Sequence, residues 1–227
     1  MAVARTARSR RKVRKVRDKW KEKVWYEIYA TPEFGGVFIG YTPANDPSLV
    51  LGRVAETCLR DLTGDPTKHM HRVYFKIFGI TGNKAIAQFY GHDTTREYMK
   101  SQIRRRRSRI DAILDVTTQD GYKIRTKAMV LTAYRANAKQ KSDIRKKMEE
   151  IIRNMAKEKT FPMYVQAMLF GEMAEKIRDE CKKIFPIKNV IIYKSEVLSL
   201  AKKEENEGFI KEKEETEENV TEAQSQE

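Results

Sequence analysis

The sequence predicts an α+β fold: a curled antiparallel sheet or β-barrel-like core with flanking helices and disordered termini. Three observations predict it. Before residue 136 about seven short runs rich in β-branched and aromatic residues recur, separated by Gly, Pro, Asn and Asp, the pattern of a small sheet or barrel. From Ala136 the apolar spacing changes from 2 to 3.6, the period of a helix that buries one face. Both ends carry charge too dense to bury, so neither can contribute to a core.

In order, residues 1–23 form a basic arm with eleven Lys or Arg between Arg5 and Lys23, against Asp18 and Glu22. Like-charge repulsion keeps such an arm open until a polyanion neutralises it. A domain over 24–200 follows: sheet-rich at 24–135, helix-rich at 136–186, with a final strand at 187–198. Val24 to Ala30 reads as a strand, Thr31 to Gly36 as a loop and Val37 to Tyr41 as a short strand. Leu49 to Thr57 reads as a strand bent at Gly52. His71 to Ile80 alternates cleanly, Gly82-Asn83 turns the chain, and Ala85 to Tyr90 returns.

Thr94 and Glu97 have capping-box spacing, and predict a helix that carries Tyr98, Met99, Ile103 and the arginines 104–107 and 109. Gly91 and Asp93 shape the backbone before it, Asp93 as an alternative cap. Arg109 to Gln119 and Tyr122 to Thr132 then form a hairpin around Asp120-Gly121, a strong local turn signal.

The helical part opens at Asp143 as a cap, with Ile144, Met148, Ile151, Ile152 and Met155 on one stripe. Phe161-Pro162 breaks it. Met163 to Phe170 and Glu172 to Ile184 are two further helices, separated at Gly171 and stopped by Pro186. Residues 201–227 are an acidic tail with ten Glu against four Lys. It is expected to be disordered, and to discourage nonspecific RNA binding or touch a basic neighbour.

Charge narrows the function. The chain has 227 residues and a formal net charge of +14, which speaks for an anionic partner. Nucleic acid comes first and an anionic membrane surface second; the basic helix lacks the broad aromatic face an interfacial helix needs. No apolar run approaches the ~18 residues of a spanning helix. The arginine-rich, nearly acid-free start also describes a mitochondrial transit peptide, a minor alternative; it lacks the apolar segment of a secretory signal. Cys58 and Cys181 have no metal-ligand spacing and read as isolated thiols in a reducing compartment.

The candidate chemistry is sparse. His69 and His71 share a strand face, yet nothing nearby supplies two further metal ligands, and neither does His92. Asp111 and Asp115 share another face. They suit either the metal site of a nuclease or, preferred here, ion pairs with the neighbouring arginines. No phosphate-binding loop, dinucleotide fingerprint or nucleophile elbow occurs, so no enzyme, cofactor, metal or small-molecule substrate is expected.

What remains is distributed basic surface. The arm (Arg5, Arg8, Arg10, Arg11, Arg14, Arg17), Arg53, the block Arg104, Arg105, Arg106, Arg107 and Arg109, and the helix face Arg145, Lys146 and Lys147 are the candidate RNA contacts. Arg125 and Lys127 form a further basic strand face. Five guanidiniums in six positions repel one another unless phosphate answers them, and their fork matches phosphate oxygens. Contacts spread over several elements grip a folded RNA by its backbone.

Several segments in register carry a family likeness. They are Gly52-Arg53-Val54 with Leu59-Arg60-Asp61-Leu62, Phe89-x-Gly91-x-Asp93-x-Thr95-Arg96, and Asp115-Val116-x-Thr118-x-Asp120-Gly121-Tyr122. Ile144-Arg145-Lys146-Lys147-Met148 and Ile184-Phe185-Pro186 complete the set. From Trp25 to Leu198 the chain resembles the small-subunit ribosomal proteins of archaea and eukaryotes called S-three-A. The resemblance implies a structural, non-catalytic rRNA-binding protein with a β-barrel-like core. It implies a place on the platform near the mRNA exit and the 3′ end of the small-subunit rRNA, with neighbouring ribosomal proteins and mRNA close by. The short glutamate-rich C-terminus resembles archaeal members, which implies a cytoplasmic ribosome. The rival readings are a metal-dependent nuclease using Asp111 and Asp115, and an RNA chaperone or translation factor outside the ribosome.

Overall fold

The structure, a computed structural model, describes residues 20–199. The arm arginines Arg5 to Arg17 and the acidic segment 201–227 lie outside the described residues. The chain runs β1 (Val24–Ala30), β2 (Phe38–Ala44), β3 (Val54–Cys58), α1 (Leu59–Thr63), β4 (His71–Thr81), β5 (Lys84–Thr94) and α2 (Arg96–Gln102). It continues through β6 (Arg109–Thr117), β7 (Lys123–Thr132), α3 (Ala138–Glu158), α4 (Phe161–Phe170), α5 (Glu172–Lys182) and β8 (Ile187–Ser199). The α+β class and seven strands before residue 136 agree with the sequence reading.

The core is a curled sheet, one of the two forms expected, and it departs from all-antiparallel pairing and from barrel-like closure. It is mixed, because β1 runs parallel to β5 from Glu27 against Lys84 to Ala30 against Ala87. It is also not closed: eight strands join in the order β2-β1-β5-β8-β7-β6, with β4 on β5 and β3 on β4. The eleven residues of β5 explain both. Strand β4 lines one edge of β5 along its length. The other edge is shared, with β1 on its first half and β8 at Gly91–Asp93. The sheet therefore branches at β5 instead of closing.

One branch curls until β2 and β3 face each other without a backbone ladder. Arg53 spans the gap: Nη1 donates to Thr42 Oγ1 (2.6 Å) and to the Pro43 carbonyl (3.0 Å), while Nε donates to the Leu49 carbonyl (2.8 Å). A side chain expected to face RNA thus latches the curled sheet, and its fork makes three bonds that no single backbone group could supply.

The other branch, β8-β7-β6, is backed by helices. Strand β6 alternates in burial residue by residue from Arg109 to Thr117. Its inner side chains Ile110, Ala112, Leu114 and Val116 meet Ile144, Met148, Ile151, Ile152 and Met155 of α3 in one core. A run of rings joins the branches. Phe75, Phe89, Phe161 and Tyr122 lie in series, with centroids 6.4, 6.2 and 4.3 Å apart. The buried Tyr164 hydroxyl is 2.9 Å from Thr126 Oγ1, which satisfies a polar tip inside the core.

The turn and cap residues take partly different roles from those expected. Thr94 ends β5, buried, with its Oγ1 3.0 Å from His71 Nδ1. The cap position of α2 is Thr95 instead. Asp93 pairs in register with Arg72 and Lys194 across the sheet. Gly91 is a crossing point: a Cβ there would stand 2.5 Å from the Ser195 carbonyl oxygen. Gly121 turns the β6–β7 hairpin at φ 82°. Asp120 caps a distant helix, its Oδ2 accepting from the Phe161 amide at 2.7 Å at the start of α4. Helix α3 begins at Ala138, five residues before Asp143, because Asn137 and Gln140 form a capping box and the Asn137 amide donates to Gln140 Oε1;.

Candidate nucleic-acid interface

The arginine block is not on a helix. Helix α2 ends at Gln102, Ile103 turns extended, and Arg104 to Ser108 form a bend leading into β6. Three adjacent exposed arginines would repel across a helical turn, whereas a bend lets them diverge. Arg106 adopts φ 60°, the left-handed region, and is the sole non-glycine among the described residues to do so. That conformation costs a side-chain-bearing residue about 1 kcal/mol or more.

A buried hydrogen-bond knot holds the bend in place. The Ser108 amide donates to Thr132 Oγ1 (2.9 Å), and the Thr132 hydroxyl donates to the Tyr134 carbonyl (2.5 Å). The Thr132 amide donates to the Ser108 carbonyl (3.0 Å), and the Ala136 amide to Ser108 Oγ (3.0 Å). The knot ties the start of β6, the end of β7 and the entry to α3 into one unit. It therefore brings Tyr134 and Arg135 beside the arginine block.

The result is an open cleft of about 640 Å³ lined by Arg106, Arg107, Ser108, Arg109, Tyr134, Arg135 and Lys141. Among the described residues no carboxylate lines it. Among the described residues Arg109 is the one cation of the set that is ion-paired, Nε to Asp111 Oδ1 at 2.9 Å. Arg107 Nη1 is buried and has no hydrogen-bond partner among the described residues; a buried guanidinium nitrogen without an acceptor is costly, and an anion is one acceptor that would answer it. Tyr134 is 70% exposed, a free ring at the rim.

The basic surface extends from the cleft along α3. Arg145 Nε donates to the Asp111 carbonyl (3.0 Å), so Arg109 and Arg145 converge on the same residue of β6. The structure thus brings together the arginine block and the first half of α3. Lys146 is exposed beside Arg145. Lys147 is engaged elsewhere: Glu150 Oε2 at 3.0 Å holds its ammonium and raises its pKa.

The Arg125 and Lys127 face is answered by carboxylates. Arg125 makes a two-pronged bond to Asp115 (2.7 and 2.8 Å), which depresses the Asp115 pKa. Glu196 lies 3.8 Å from Lys127 and 2.6 Å from Lys194. Asp111 and Asp115 are each occupied by an arginine, as the preferred ion-pair reading expects. Among the described residues no three His, Cys, Asp or Glu side chains gather as a metal site.

Sequence reasoning missed Tyr134, Arg135 and Lys141. Tyr134 and Arg135 are one adjacent pair and Lys141 stands in a mixed polar run, none of them in a basic block, and the contact between Ser108 and Thr132, 24 residues apart, brings the pair to the arginines.

The profile of the Ribosomal S3Ae family matches residues 11–201. The chain is 93% identical over 215 residues to a small ribosomal subunit protein eS1 of Methanocaldococcus jannaschii, covering 95% of this chain and 97% of that protein. It is 58% identical over 196 residues to an eS1 of Methanococcus maripaludis, covering 86% and 88%. It is 46% identical over 185 residues to an eS1 of Staphylothermus marinus, covering 82% and 87%. A match over this much of the chain, at this identity, places it in the Ribosomal S3Ae family.

Proposed function

We infer that this chain is a non-enzymatic constituent of the small ribosomal subunit, acting in translation as part of the cytoplasmic ribosome. There it binds and stabilises rRNA on the platform, near the mRNA exit and the 3′ end of the small-subunit rRNA. The observation that supports this reading most is the cleft. Arg106, Arg107, Arg135 and Lys141 line it without a carboxylate partner among the described residues, and Arg107 has a buried donor unanswered.

In this reading phosphate oxygens enter the cleft and neutralise the arginines. Guanidinium forks hold them through charge-assisted bonds. The Tyr134 ring stacks on a base exposed beside that backbone. Arg104, Arg105, Arg109, Arg145 and Lys146 extend the phosphate contacts on either side, with the arm arginines adding affinity without sequence reading. Arg53 contributes through the fold, as the latch between β2 and β3. Neighbouring small-subunit proteins meet the remaining surface.

The test joins incorporation to footprinting. Wild-type protein sediments with the small-subunit peak of a sucrose gradient in high salt, and its presence protects rRNA near the 3′ end from chemical attack. A triple variant Arg106→Glu, Arg107→Glu, Arg135→Glu is expected to move to the top of the gradient. Full retention of the triple variant, or protection confined to another region of the rRNA, would overturn the corresponding part of the reading.

A further inference from the structure

Far from the cleft, the exposed face of β1 and β2 carries a second kind of surface. Alternation places Trp25, Glu27 and Tyr29 on the outer side of β1. Register sets Pro43 beside Trp25, Tyr41 beside Glu27, and Phe38 beside Tyr29. Trp25 is 57% exposed, Tyr41 60% and Phe38 42%. Phe38 lies edge-on to both Tyr29 (5.7 Å) and Tyr41 (4.9 Å). Exposed aromatic area this continuous marks an interaction site.

Lysines frame the rings. Lys84 lies opposite Glu27 in the parallel register, with its ammonium 5.6 Å from the Tyr29 ring centroid. Along the same sheet, Lys76 reaches over Tyr90 at 5.6 Å. Neither lysine has an ion-pair partner among the described residues. Glu27, the carboxylate on this face, accepts the Tyr29 hydroxyl at 2.9 Å. The basic arm also leads directly into Trp25. Exposed rings on a sheet with cations between them are how proteins hold unpaired nucleotides. Trp25 and Tyr29 are four residues apart on one strand, a span of about 13 Å, enough for two or three stacked or splayed nucleotides.

We propose that the outer β1–β2 face, with Trp25, Tyr29, Phe38 and Tyr41 framed by Lys84 and Lys76, is a stacking platform for an unpaired stretch of the small-subunit rRNA. It rests on the rRNA-binding reading but uses different chemistry from the cleft. The cleft grips phosphates; this face reads the absence of base pairing. Two framing lysines supply little charge, so ring contacts dominate its affinity.

The chain has two tryptophans, so a Trp20→Phe background leaves Trp25 as the only reporter. Titration of the full-length protein with an eight-nucleotide single-stranded RNA is expected to quench Trp25 emission, and a duplex of equal charge is not. Tyr41→Ala is expected to weaken single-strand binding about five- to a hundredfold without changing the slope of affinity against salt. In message-free small subunits carrying Trp25→Ala with Tyr41→Ala, unpaired rRNA nucleotides are expected to gain chemical reactivity. Trp25 emission that ignores single-stranded RNA, or that responds equally to the duplex or to an arginine-rich peptide, would overturn the proposal. So would unchanged rRNA reactivity, or reactivity that changes only when message is added. The cleft variants separate the two readings. If they lose rRNA while the β1–β2 variants lose nothing, the platform fails and the cleft stands. If the cleft variants keep rRNA while Trp25 is still quenched, the reverse holds.

Discussion

Gly91→Ala is expected to be among the most damaging single-methyl additions to this fold. The new Cβ would lie 2.5 Å from the Ser195 carbonyl oxygen, 3.5 Å from its carbon and 3.6 Å from Glu196 Cα. All three are backbone atoms, so no rotamer change relieves the clash. Strand β8 must back away from β5 by most of an ångström to restore ordinary contact. That motion pulls on Ser195, whose Oγ lies 2.5 Å from His92 Nδ1 and accepts the His92 amide at 3.2 Å. The His92 ring is fully buried, and its Nε2 donates to the Ile192 carbonyl at 3.0 Å. Overpacking of this kind costs about 1–3 kcal/mol. An orphaned buried polar group adds about 1–3 kcal/mol. The sum of about 2–6 kcal/mol is a large share of a typical domain's stability. The assay is urea unfolding of Gly91→Ala, Ser195→Ala and the double variant. The double variant should lose less than the sum of the singles, because both act through the same seam. A Gly91→Ala loss under about 1 kcal/mol, or strict additivity, would refute the reasoning.

Three further outcomes follow from particular contacts. Arg106→Gly should leave stability equal or raise it by up to about 1 kcal/mol, since relief of the left-handed conformation outweighs the extra chain entropy. RNA affinity should fall about five- to tenfold, and the salt slope should drop by about 1; loss of stability without loss of affinity would contradict this. Burial holds His92 near pKa 4 against 6.5 when unfolded, and His71 is lowered by burial too. The unfolded chain therefore takes the proton first. Stability should be complete above pH 6.5 and fall by up to about 3 kcal/mol as pH drops to 4; urea midpoints that stay level across that window would count against it. Asp120→Ala removes the acceptor of the Phe161 amide and should cost about 1 kcal/mol. Asp120→Asn should recover most of that, as thermal melts would show.

Much of the fold was legible because it is local. Strand β1 falls on Val24–Ala30 as read, and β4, the β6–β7 hairpin and the α4–α5 break at Gly171 fall close to their expected places. In each, period 2, period 3.6 or a glycine turn sets a neighbour's conformation. The start of α3 was less legible: residues 138–143 are mostly polar and none is buried, so no apolar stripe announces that turn. Helix α1 was missed because its five residues are too few to show a period. The spacing of Tyr98, Met99 and Ile103 assigns the arginine block to a helix, but Ile103 is already extended. Tyr98 and Met99 do lie on α2, packed beside Met129, Leu131 and Ile191, but the helix stops before the charge begins.

The sequence by itself determined the class of partner and the alternation of each element, because charge and hydrophobic period are properties of neighbouring residues. The tertiary structure alone decided which cations are free. Arg53 meets Thr42 across the open sheet, Arg125 meets Asp115 across the hairpin, and Ser108 meets Thr132 to raise Tyr134 and Arg135 beside Arg107. It also decided that β1 joins β5 in parallel and that the sheet branches instead of closing. These are pairings between residues distant in sequence. Their free energy depends on which surfaces are buried together and on which donors find acceptors once the chain is packed, and no local pattern encodes that choice.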